Sequence, residues 1–154
     1  MMKKLLVFFF ISAASLFTAK SQTQNPKYNK ALADSLGADE YGMKKYYFVI
    51  LKTGSNKTQD KETLKTLFKG HMDNITRLAK EGKLIVAGPM GENDKQYRGL
   101  FIFAVKTKNE IEDLLQTDPA IKANIFSSEI YEWYGSAALP AYLEFHEKIE
   151  KTKF

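Results

Sequence analysis

No cysteine occurs among the 154 residues. Disulfides, thiolate nucleophiles and thiolate metal sites are therefore excluded, and so is a lipid-carrying cysteine. Histidine is nearly as scarce, with only His71 and His146. They fall in different predicted helices, and no HxxxH pair or His/Asp/Glu cluster has the spacing of a metal site, so neither a metal nor a cofactor is expected. The glycine-containing stretch "AGPMGEND" lacks the GxxxxGK[ST] spacing of a phosphate loop. Positive charge is present, at a formal +5 and a pI of about 9.2, but it is not clustered. The lysines alternate with Asp and Glu, so the basic stripe of a nucleic-acid surface is missing. The apolar stretch at residues 5–17 is 13 residues long, short of the roughly 20 a membrane-spanning helix needs.

That stretch follows Lys3 and Lys4 and runs into the small-residue pattern Ala19-Lys20-Ser21. This is the layout of a secretory signal peptide, read here as residues 1–21. Cleavage after Ser21 removes Lys3, Lys4 and Lys20 and lowers the formal charge from +5 to +2. The mature product is expected to be exported, to the periplasm or beyond, without stable membrane insertion. An uncleaved anchor is the alternative. The 133 residues that remain suffice for one ordinary core.

Residues 22–44 are polar and mixed, and read as an N-terminal extension in which "NKALADSLG" makes a short helix ending at Gly37. "KYYFVILKTG" (45–54) is rich in β-branched and aromatic residues and predicts the first strand. Over 61–81 the apolar residues Leu64, Leu67, Phe68, Met72, Ile75, Leu78 and Ala79 form a helical stripe, stopped by Gly82. "KLIVAGP" (83–89) and "RGLFIFAV" (98–105) predict a hairpin, "TKNEIEDLLQT" (107–117) a second helix, and "SSEIYEWYG" (127–135) a fourth strand. "LPAYLEFHEKIEK" predicts a C-terminal helix within an extension at 136–154. The order βαββαβ predicts an α+β, ferredoxin-like domain over 45–135. Helices on one face of an antiparallel sheet leave the other face needing cover, which predicts a homodimer.

His71 falls on the apolar stripe of its helix. It is either a packed core histidine or a ring at the lip of a pocket, able to act as general acid or base. Asp118, before Pro119, is a helix N-cap, and its second oxygen is available to orient an imidazole. Arg98 either ends a strand in solvent or pairs with a substrate carboxylate. Trp133 and Tyr134 either wall a pocket or pack in the core or a dimer contact.

Four stretches carry a family resemblance: "YYFVIL", "H…RLAKEGKLIVAGP", "RGLFIF" and "DPAI…IF…EIYEW". With His71 eleven residues before Gly82, a GP after the second strand and a later DP, the chain resembles the YCII-related proteins of the dimeric α/β-barrel superfamily. The resemblance implies a ferredoxin-like protomer that dimerises through its sheet, with a cleft beside it. It also implies an active-site pair, carried onto His71 and Asp118, and kinship with muconolactone isomerases and chloromuconolactone dehalogenases. The leader and the extensions at 22–44 and 136–154 depart from the family pattern. The expected function is acid–base chemistry on a small anionic molecule, of the isomerase or lyase kind. The alternative is a dimer that binds such a ligand in the same cleft without chemistry.

Overall fold

Alternation in β1, Met43–Thr53, sends Tyr47, Val49 and Leu51 to one face of the sheet, where they are buried. The computed structural model describes residues 25–152, so the expected signal segment at 1–21 lies outside the described residues. β1 is flanked on one side by β3, Tyr97–Phe103, and on the other by β4, Phe126–Ser136, and both pairings are antiparallel. β2, Leu84–Pro89, adds antiparallel to β3, giving the order β2-β3-β1-β4. This is the ferredoxin-like α+β arrangement.

Helices close one face. α2, Lys61–Lys80, starts at Asp60, whose carboxylate accepts from the Thr63 N–H at 2.8 Å. It ends where Gly82 turns to φ +67° and the Lys83 N–H returns to the Leu78 carbonyl. α3, Lys108–Gln116, and the single turn α4, Pro119–Lys122, follow β3. Leu78, Ile111, Leu114, Leu115 and Ile121 from these helices meet Tyr47, Val49, Leu51, Phe101 and Phe103 from the sheet in one core. A side chain as fully buried as Phe103 contributes about 1.5–3 kcal/mol.

The opposite face is covered at one end only. Tyr46 is fully buried, and its hydroxyl donates to the Ser136 carbonyl at 2.8 Å. A 3₁₀ turn, Leu139–Tyr142, leads into α5, Leu143–Ile149, and the Tyr142 hydroxyl donates to the carbonyl of Ile85 at a bulge of β2. The predicted C-terminal helix is thus a 3₁₀ turn followed by a shorter α-helix. Phe48, Ile50, Leu100 and Ile102 remain half-exposed on this face.

α1, Lys30–Leu36, ends at Gly37 as expected, in the left-handed conformation at φ +66°. β1 and β4 run further than predicted, because Met43 and Lys44 pair with Ser136 and Gly135. Among the described residues no helix is long and apolar enough to cross a membrane.

Candidate functional site

His71 lies midway along α2, on the face turned toward the sheet. Its ring packs against Phe126, at 5.3 Å between centroids, and against Phe101, at 6.0 Å. Its side chain is 12% exposed. The apolar stripe that contains it is not uniformly buried: Phe68, one turn earlier, is 41% exposed.

Asp118 comes to His71 from the junction between α3 and α4. Its Oδ1 accepts from the N–H groups of Ala120, at 2.9 Å, and Ile121, at 3.3 Å. This is the predicted cap. Its Oδ2 lies 2.6 Å from His71 Nδ1. The carboxylate is 1% exposed, and donors satisfy both oxygens. In the neutral ring, a carboxylate facing Nδ1 favours the proton on that nitrogen, which leaves the lone pair on Nε2. Nε2 has no hydrogen-bond partner among the described residues, and it is not sealed from solvent. The arrangement therefore has a buried orienting acid on one side and a free proton-accepting nitrogen on the other.

Two features hold this junction against α2. A Cβ on Gly70 would lie 2.7 Å from Pro119 Cγ, so glycine lets the α4 turn sit directly on the helix beside His71. The next turn supplies a polar clamp: Arg77 Nη2 donates to Asn74 Oδ1 at 2.7 Å and to Thr117 Oγ1 at 2.9 Å. Asn74 is buried. Sequence reading missed both roles. Glycine and asparagine inside a good helix were the available signal, since each lowers helix propensity and needs a compensating contact.

Arg98 stands near this region. Its Nε donates to Thr53 Oγ1 at 2.7 Å, and Thr53 pairs across the ladder with Phe126. Trp133 and Tyr134 are not brought to His71 within the protomer. They follow Phe126 along β4 by seven and eight residues, runs of about 23 Å and about 26 Å at roughly 3.3 Å per residue. Trp133 packs on Tyr46 at 5.6 Å and lies across Gly135, where a Cβ would come within 2.4 Å of its ring. The Tyr134 hydroxyl donates to Asp39 of the N-terminal extension. That carboxylate raises the phenol's pKa to about 12, and the phenol in turn holds Asp39 below the usual range, helped by the Met43 N–H. These two aromatics fasten the extension and the sheet end.

Among the described residues no group of three or more His, Cys, Asp or Glu is placed to hold a metal ion. No curated protein matches the chain. Chains of solved structures that match include 5-chloro-2-hydroxyhydroquinone dehydrochlorinase (TftG) from Burkholderia phenoliruptrix AC1100, solved with 2,5-dihydroxybenzoquinone. It is 21% identical, with 56% of this chain and 92% of that chain covered and a TM-score of 0.41. At that distance it carries no argument about activity. The model of the YCII-related domain matches residues 46–134, from the buried Tyr46 to Tyr134 and including both His71 and Asp118, so the chain belongs to the YCII-related family.

Proposed function

We propose that the protein is an acid–base catalyst for a small anionic molecule, with His71 carrying the proton and Asp118 orienting the ring. The observation that supports this most is the 2.6 Å contact between Asp118 Oδ2 and His71 Nδ1, combined with an Nε2 that has no hydrogen-bond partner among the described residues and is not fully buried. A packed histidine could also use the carboxylate on Nδ1; the unpartnered Nε2 is what favours a proton-transfer role.

Proton transfer through an imidazole needs no cofactor. Nε2 takes a proton from a carbon next to a carbonyl, and the C–H electron pair moves into that carbonyl as an enolate. The new imidazolium shares its charge with Asp118. Return of the proton from Nε2 to a different carbon completes an isomerisation. Collapse of the enolate with loss of an anion from the neighbouring carbon completes an elimination, after which Nε2 gives its proton to solvent. Such a group contributes typically 10²–10⁴-fold to rate. Arg98 is the candidate for holding the substrate's acid group.

The working unit is a homodimer in which a second copy covers Phe48, Ile50, Leu100 and Ile102. The basic, apolar and small-residue leader supports export after cleavage near Ser21.

A screen of small carboxylates and lactones by thermal shift tests the proposal. A ligand at 100 times its Kd adds about 2.7 kcal/mol of stability. The ligand should be converted by the wild type, while a His71→Ala variant still binds it and loses conversion by about 10²-fold or more. Ligands bound equally by both proteins and converted by neither would identify a binding module instead.

A further inference from the structure

The stripe of α2 that carries His71 continues back through Phe68 and Leu64, three and seven residues earlier. With Phe126 they form the apolar side of a cleft of about 260 Å³, whose other side is Thr53, Arg98 and the loop carrying Lys57. Phe68 and Phe126 meet edge to face at 5.8 Å. Phe126 also packs on His71, tilted by 56° at 5.3 Å, so the cleft adjoins the imidazole through this ring, although His71 does not itself line it.

The cleft is cationic without compensation. Arg98 and Lys57 line it, and no Asp or Glu does. Arg98 uses Nε on Thr53, which leaves its two Nη groups without a hydrogen-bond partner among the described residues. Lys57 Nζ donates to the Gly54 carbonyl at 2.8 Å and pairs with no carboxylate among them. The loop is held in place. The Gly54 N–H donates to the Ile125 carbonyl at 2.8 Å, and the Asn56 side chain donates to the Ala123 carbonyl at 2.9 Å. A Cβ at Gly54 would come within 2.0 Å of the Asn124 carbonyl oxygen, so only glycine allows this approach. Its volume is below the ~300–1,000 Å³ usual for drug-sized ligands.

We propose that this cleft is the specificity half of the His71 site, and that it takes a small planar carboxylate, with the acid group on Arg98 and Lys57 and the flat body against Phe68 and Phe126. This rests on the reading of His71 as the proton carrier, and it adds Lys57, Phe68 and Phe126 as specificity residues. A carboxylate matches the guanidinium fork through two oxygens, and the lysine supplies a second charge from the loop.

Benzoate and benzamide, equally flat and similar in size but different in charge, test it by NMR titration of the full chain. Benzoate should saturate with shifts at Phe68 and Phe126, and benzamide should bind at least about tenfold more weakly. Arg98→Gln and Lys57→Gln should each weaken benzoate by about tenfold, and Arg98→Lys should fall between. Equal binding of the two probes, wild-type affinity in both glutamine variants, or no benzoate saturation at millimolar concentration would overturn the inference. The two claims fail separately. Proton transfer that survives His71→Ala overturns the acid–base reading, whereas loss of the benzoate preference in the wild type overturns only the assignment of the cleft.

Discussion

Asp118 divides its two oxygens between unrelated tasks. Oδ1 caps a four-residue helix, and Oδ2 holds an imidazole. The cap was legible in the sequence, because Asp before Pro at a helix start is a local signal. That the second oxygen could orient an imidazole was also readable, but helical spacing alone leaned toward a core role for His71, and only the family resemblance joined the two residues. The shared carboxylate makes Asp118→Ala a double loss, of a cap and of a buried partner for Nδ1. We expect it to destabilise the protein by about 1–3 kcal/mol in urea unfolding. The same variant should shift the His71 ring, in ¹⁵N-resolved NMR, from the Nδ1–H tautomer toward the Nε2–H form. An unchanged tautomer would mean that Asp118 does not orient the ring.

The order of elements was readable because apolar periodicity and helix stops are local. Strand ends were less so, because Met43 and Lys44 join β1 only by pairing with residues more than 90 positions later. The same limit hid the place of Trp133 and Tyr134. Composition marks them as strand residues, but register decides which end of the sheet they occupy, and that end holds Tyr46 and Asp39 rather than His71. Lys57 sits in a loop that reads as merely polar until its neighbours across the cleft are known. Packing of α2 on α4 supplies a test at this scale. Glycine to alanine inside a helix normally stabilises by about 1 kcal/mol. At Gly70 the added Cβ meets Pro119 at 2.7 Å, so Gly70→Ala should destabilise instead and loosen the Asp118–His71 contact. A higher melting temperature for that variant would show that α4 does not pack as closely as described.

For the whole molecule, one face of the sheet is closed by helices and the other is capped at one end by the C-terminal segment. Phe48, Ile50, Leu100 and Ile102 form the uncovered part, an apolar surface of the kind that marks association. Light scattering should give twice the protomer mass at micromolar concentration, and Ile50→Lys should return a monomer; a wild-type monomer would refute the dimer. The central claim is that His71 moves a proton to and from carbon. It is tested most directly by incubating the wild type in D₂O with a ligand from the carboxylate and lactone screen and following loss of a carbon-bound proton signal by NMR. Exchange precedes any net reaction, so the product need not be known. Deuterium should enter with the wild type, and at a rate lower by about 10²-fold or more with His71→Ala. Saturating binding with no exchange, or equal exchange in both proteins, would contradict it.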